Sequence, residues 1–248
     1  MDLSPYRTFL FELANKSGDF IRPHYRRPGL AIDTKADASP VTIADRGAEE
    51  LMRALIAAKF PTHGIIGEEF GDERANAEWV WVLDPIDGTK AFITGLPLWG
   101  TLIALLHRGQ PVLRQLMIGD GSTTTLDGVR VHCRATTRVE DSTLLTSDTL
   151  NLAKYQDGPA CDRLLGRARL VRTWADCYGY LLLASGYADL CLDPIMNPWD
   201  IAALVPIVRG AGGVITDWRG GAAYPAESTI AAATPALHAA VVAALNRQ

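Results

Sequence analysis

The segment Trp79-Val80-Trp81-Val82-Leu83-Asp84-Pro85-Ile86-Asp87-Gly88-Thr89 constrains this chain more than any other. Five consecutive apolar residues, bounded by polar ones, read as a buried strand. The strand runs straight into two carboxylates, at the position where an α/β sheet usually places its ligands. Pro85 stiffens the turn between them. Gly88 lets the backbone approach a ligand closely. Thr89 adds a hydroxyl, and the residues after it can start a helix whose first amides attract phosphate. Taken alone, the composition is also that of an Asx-type turn, because Asp, Pro and Gly are all turn formers.

Helical and strand signals alternate along the rest of the chain. Ser4-Pro5 reads as an N-cap followed by proline at the first helical position, opening a helix that should end near Tyr25. A second helix is expected over Thr42 to Lys59, with Ala48, Leu51, Met52, Leu55 and Ile56 facing inward. Strands are expected at Gly64 to Ile66, Trp99 to His107, Pro111 to Leu113, Val129 to Val131 and Leu170 to Arg172. Beyond these, Asp176 to Ala184 and Asp200 to Arg209 look helical. Ala188 to Leu192, Val214 to Thr216 and Ile230 to Ala232 look like strands, and a last helix starts at Thr234-Pro235. No internal repeat interrupts this pattern. The expected fold class is α/β, with layered sheets and helices in one unit over residues 1–248, an N-terminal half to about 133 and a C-terminal half from 134.

A formal charge of −4 argues against a nucleic-acid binder. It leaves an anionic substrate open, because metal ions reverse the local sign of a site. Cys133, Cys161, Cys177 and Cys191 form no C-x-x-C pair, so neither a zinc knuckle nor a redox motif is indicated. The N-terminus lacks the features of a signal peptide and no apolar run is long enough to span a membrane, so a cytoplasmic protein with no membrane partner is expected.

Other acidic groups add weight to Asp84 and Asp87. Glu68, in Gly67-Glu68-Glu69, follows a separate apolar run and could reach the same sheet edge. Asp200, in Pro198-Trp199-Asp200, could join from the start of a helix. Asp45 sits early in the second helix as a candidate outer base. Clustered carboxylates repel unless a cation neutralises them. An all-oxygen set without His or Cys suits Mg²⁺ rather than zinc. His107 and His132 have no ligand-spaced partner and read as structural or surface residues.

Gly67-Glu68-Glu69, Asp84-Pro85-Ile86-Asp87-Gly88-Thr89 and Pro198-Trp199-Asp200-Ile201-Ala202-Ala203 resemble, in order, the signatures of the inositol monophosphatase superfamily. Pro40-Val41-Thr42 to Asp45 and Ala211-Gly212-Gly213-Val214-Ile215 fit as well, so the resemblance covers nearly the whole chain. It implies a layered αβαβα sandwich, usually a homodimer, that needs two or three Mg²⁺ ions, with Mn²⁺ as a substitute. It implies metal ligands at Glu68, Asp84, Asp87, Asp200 and the carbonyl of Ile86. It also implies that Glu68, with an Asp45–Thr89 pair, activates the attacking water, and that the Gly88 and Thr89 amides hold phosphate, with Lys90 nearby or else merely solvated.

Lys90-Ala91-Phe92-Ile93-Thr94-Gly95-Leu96-Pro97, Trp99 to Leu106, Ala175-Asp176-Cys177-Tyr178-Gly179-Tyr180 and Trp199 to Val205 look most like the histidinol-phosphate phosphatase branch. That substrate carries an amine and an imidazole, with which Asp176 and Asp193 could pair. Asp176 also reads as a helix N-cap. An inositol 1-phosphate, a 3′(2′),5′-bisphosphate nucleotide or fructose 1,6-bisphosphate are alternative substrates, and a metal-binding regulator is the non-enzymatic alternative. The run from Arg114 to Gly128 looks shortened against the family pattern, which leaves any substrate contact from that stretch in question.

Overall fold

Residues 3–36, 39–114, 117–119, 121–174 and 176–246 are described by the computed structural model; Gln115, Leu116, Asp120 and Ala175 lie outside the described residues. Two units are distinguished, Met1–Leu116 and Met117–Gln248.

In the first unit, α1 (Ser4–Ile21) starts one residue earlier than the sequence signal suggests. Leu3 takes the N-cap position without a side-chain cap, and Ser4-Pro5 fill the first helical positions. The helix also stops sooner than Tyr25. Arg22–His24 form a 3-10 turn, because Pro23 has no N–H with which to continue the i→i−4 ladder. After β1 (Ile32–Thr34) and β2 (Pro40–Thr42), helix α2 (Ile43–Lys59) begins one residue after the expected start, with Thr42 as its N-cap. Thr42 Oγ1 accepts from the Ala44 amide at 3.0 Å. The Asp45 carboxylate accepts from the Thr42 amide at 2.8 Å and from its hydroxyl at 2.7 Å. This reciprocal capping satisfies donors that the helix itself leaves open.

The remaining elements of this unit are β3 (Gly64–Gly67), β4 (Gly71–Glu73), β5 (Trp79–Asp87), α3 (Thr89–Ile93), β6 (Gly100–His107) and β7 (Gln110–Arg114). They include a five-stranded sheet in the order β4-β3-β5-β6-β7. Only the β3–β5 pairing is parallel. Phe9, Leu10 and Leu13 of α1 and Met52 and Ile56 of α2 pack with Ile65, Trp81, Leu83, Ile103 and Leu105 of the sheet. Both helices therefore cover one sheet face, and β5 is the strand fixed most firmly beneath them.

Trp81 is fully buried, and its indole N–H donates to Nδ1 of His63 at 3.1 Å. That bond requires an unprotonated Nδ1, and burial lowers the His63 pKa. An unfolded histidine takes up its proton near pH 6.5. The unfolded state thus binds more protons below that pH, and stability falls as pH drops through the window down to the depressed folded value. His238, also lowered by burial, adds a share of its own. Melting temperatures measured from pH 7.5 to 5 should fall less steeply for His63→Gln than for the wild type. Coincident slopes would remove His63 from this account.

The second unit contains β8 (Met117–Gly119), β9 (Thr124–Leu126), β10 (Val129–Arg130), β11 (Thr143–Thr146), α4 (Thr149–Tyr155), α5 (Gly158–Arg167), β12 (Leu170–Arg172), α6 (Cys177–Ala184), β13 (Leu190–Asp193), α7 (Pro198–Ala202), α8 (Leu204–Gly210), β14 (Val214–Thr216), β15 (Thr229–Ala232) and α9 (Pro235–Leu245). A five-stranded mixed sheet runs β12-β11-β13-β15-β14, and β10-β9-β8 form a smaller antiparallel sheet. Leu164 of α5 and Leu237, Val241 and Leu245 of α9 pack with Leu144, Leu190, Leu192 and Ile230. The expected Asp200–Arg209 helix is divided at Ala203 into α7 and α8, and Pro206 has no N–H with which to bond back to the Ala202 carbonyl. Asp189 is fully buried and accepts from the Thr143 amide (2.7 Å), the Thr136 hydroxyl (2.7 Å) and Arg134 (3.2 Å). Three donors offset the cost of taking this carboxylate out of water. The α/β class expected from the sequence is the class observed. Among the described residues, no helix is long and apolar enough to cross a membrane.

Candidate metal centre

Strand alternation alone would place Asp84 and Asp87 on opposite faces of β5, since they are an odd number of residues apart. The β5–β6 ladder removes that conflict. Asp84 pairs with Leu102 and Asp87 with Gly100, so three steps on one strand meet two on the other, and the register shifts between them. Such a bulge re-aims a side chain. The result is a pair of carboxylates with oxygens within 4.8 Å of each other, Asp84 buried and Asp87 half-buried. Thr101 Oγ1 donates to the Pro85 carbonyl at 2.8 Å and holds the bulge from the neighbouring strand.

Gly88 follows with φ +85°, and an added Cβ there would lie 2.7 Å from the Leu98 carbonyl oxygen. Both the backbone conformation and the space call for glycine. Thr89 begins α3, and its hydroxyl donates to the Ile86 carbonyl at 2.9 Å. A carbonyl oxygen has two lone pairs, so this bond leaves Ile86 able to accept elsewhere. Lys90 is exposed.

Glu68 stands beside this pair in the chain's hydrogen-bonding. Its amide donates to the Leu83 carbonyl at 3.2 Å, next to Asp84. Its side chain, however, accepts from Lys35 Nζ at 2.6 Å, and the same ammonium donates to Glu69 at 2.6 Å. Burial lowers the Lys35 pKa, but the hydrogen bonds and charges of the two glutamates outweigh it and raise the value. Burial also pushes Glu69 up to about 7 despite the lysine. An ammonium thus sits where two carboxylates demand positive charge.

Among the described residues, no hydrogen bond joins Asp45 to Thr89: Asp45 accepts from Thr42, and Thr89 donates to the Ile86 carbonyl. Burial raises the Asp45 pKa against the lowering effect of its Thr42 hydrogen bonds.

In the second unit, Asp200 is the third residue of α7 and accepts from the Asn197 amide at 2.7 Å. Asp176 holds the N-cap position of α6 with φ +54° but makes no side-chain cap, contrary to its capping role. A non-glycine residue with positive φ is uncommon. Asp193, expected to face a cationic substrate group, is instead 3% exposed. It accepts from Ser147 Oγ at 2.8 Å and Tyr180 OH at 2.9 Å, and Tyr180 contacts Thr229 closely. Its pKa is raised by burial, against these hydrogen bonds.

Lys35, Glu69 and Glu49 were not among the residues singled out from sequence. Lys35 lies in a polar run with no pattern to mark it. The partner of Glu68 in Glu68-Glu69 was the available hint for Glu69. Glu49, one helical turn after Asp45, is fully buried, a position rarely taken by an unpaired glutamate.

The profile of the inositol monophosphatase family matches residues 2–248. The chain belongs to the inositol monophosphatase family. Family membership makes its enzyme class that of the phosphoric monoester hydrolases. The chloroplastic bifunctional phosphatase IMPL2 of Arabidopsis thaliana is 43% identical over 219 residues, which cover 84% of this chain and 63% of that protein. The histidinol-phosphatase of Chlorobaculum parvum is 40% identical over 227 residues, 88% of either chain. The inositol monophosphatase of Zymomonas mobilis, described for a flexible region at its active site, superimposes with a TM-score of 0.87 at 36% identity, over 100% of both chains.

Proposed function

We propose that this member of the inositol monophosphatase family hydrolyses histidinol phosphate to histidinol and phosphate with Mg²⁺ as cofactor. The observation that carries the reading is the bulge in β5, which gathers Asp84 and Asp87 beside the Gly88 turn. The donor set fits the ion: carboxylates and a carbonyl are hard oxygen ligands of the kind Mg²⁺ prefers. Asp84, Asp87, Glu68 and the Ile86 carbonyl would hold two or three such ions, with Mn²⁺ able to replace them. When bound, Mg²⁺ supplies neutralisation of phosphate charge and activation of water.

The chain's own groups then have separable tasks. The Gly88 and Thr89 amides, at the start of α3, orient the phosphate. Glu68 would take a proton from the attacking water once Lys35 gives up its hold on the carboxylate. Thr89, tied to Ile86, keeps the turn closed. Asp45 supports this arrangement through the Thr42 cap rather than by touching Thr89. Asp176 faces the substrate amine, and Asp193 shapes that region from the interior through Tyr180. Lys90 adds positive charge near the phosphate.

The histidinol-phosphatase of Chlorobaculum parvum supports this substrate. The Zymomonas mobilis inositol monophosphatase favours inositol phosphate as the second reading. Phosphate release from equal concentrations of histidinol phosphate, inositol 1-phosphate, adenosine 3′,5′-bisphosphate and fructose 1,6-bisphosphate separates them. We expect the highest kcat/KM for histidinol phosphate, by at least about tenfold, which corresponds to one desolvated charge pair of roughly 1.4 kcal/mol. A preference for any other ester would overturn the substrate assignment. No turnover on any ester, with Mg²⁺ bound, would support a regulatory role. A homodimer is part of the same proposal, measured by light scattering.

A further inference from the structure

Glu49 of α2 makes no appearance in the chemistry above, yet its buried carboxylate holds the loop from which Glu68 projects. Oε2 accepts from the Glu69 amide at 2.8 Å, and Oε1 accepts from the Phe70 amide at 3.2 Å and from Arg53 Nε at 2.8 Å. Arg53 reaches on to the Gly71 carbonyl. The Glu68 amide is fixed separately by the Leu83 carbonyl. The peptide on each side of the Glu68 α-carbon is therefore anchored, one side to β5 and the other to Glu49. Gly67 belongs to the same device. A Cβ there would lie 2.0 Å from Glu49 Oε1 and 2.6 Å from Arg53, so the glycine leaves room for the carboxylate.

We infer that Glu49 is a positioning residue for the metal site, setting the direction of the Glu68 side chain through the Glu69 and Phe70 amides, with Arg53 holding the carboxylate in place. This rests on the metal reading above. Three donors converge on two acceptor oxygens. A glutamine keeps the shape but has one acceptor oxygen and an NH₂ group. One side of Glu49→Gln must therefore set donor against donor. Partners that orient metal ligands typically change metal affinity by about 10–100-fold when removed.

The test is Mn²⁺ binding to the full chain, read from the loss of the free-ion EPR signal, alongside the melting temperature and kcat at saturating metal. Glu49→Gln should bind Mn²⁺ about 10–100-fold more weakly while keeping most of its kcat once metal is saturating. Ile56→Ala, on the same helix and fully buried, should lower the melting temperature and leave Mn²⁺ affinity unchanged. Asp87→Asn calibrates the readout. If it loses affinity and Glu49→Gln does not, the positioning role is wrong and the metal reading stands. If Asp87→Asn binds as the wild type does, the metal reading falls and the inference with it. Should Glu49→Gln not fold, Arg53→Gln carries the test with a smaller loss in the same direction, and wild-type affinity there overturns the role.

Discussion

Asp87→Asn is expected to lower phosphate release by on the order of a thousandfold at saturating Mg²⁺, with the fold intact. Comparable losses follow removal of one group that stabilises developing charge in a dry site. Asparagine keeps the size of the side chain and removes the negative charge that draws a divalent cation. The position tolerates the change because Asp87 is half-buried at the end of β5, beyond the packed centre of the strand. Two carboxylates within 4.8 Å repel when both are ionised. In metal-free buffer the variant should therefore melt at or above the wild-type temperature. Loss of activity together with unchanged or raised stability separates a functional carboxylate from a structural one. Retention of more than about a tenth of the activity would remove Asp87 from the reaction.

Trp81→Ala is expected to destabilise the protein by about 4 kcal/mol, a fall in Tm of roughly 10 °C. Trp81 is fully buried between α1, α2 and the sheet, with Phe9 at 5.5 Å and Phe60 at 5.9 Å between ring centroids. Truncation leaves a cavity and deprives His63 Nδ1 of its donor. Trp81→Phe keeps most of the volume and loses only the hydrogen bond, which should cost about 1–2 kcal/mol. Urea unfolding of the two variants measures both values. Equal losses would show that the hydrogen bond, not the packing, dominates at this position.

The fold and the metal residues differ in how far the sequence reveals them. β5 announces itself by its uninterrupted apolar run, and α2 by the helical spacing of Ala48, Leu51, Met52, Leu55 and Ile56, because both signals are local. Asp84 and Asp87 could be marked as candidates for the same reason. The bulge that brings them together depends on the register with β6, which no local pattern encodes. The ends of α1 differ from the sequence signal by small margins, since Leu3 rather than Ser4 is the N-cap and the helix gives way to a 3-10 turn at Pro23. Lys35 and Glu49 were out of reach for a different reason. A lysine in a polar loop and a glutamate on a helix are ordinary surface residues until tertiary contacts place them against other charges. Asp193 shows the reverse error: an acidic residue at a strand end reads as a ligand, but Ser147 and Tyr180, distant in sequence, draw it into the interior.

The account depends most on metal binding by the carboxylates of β5, and anomalous diffraction from crystals soaked in Mn²⁺ tests this directly. It predicts at least one strong peak within coordination distance of Asp84 and Asp87, lost in Asp87→Asn crystals. Peaks confined to other parts of the surface, with these two side chains bare at saturating Mn²⁺, would contradict it.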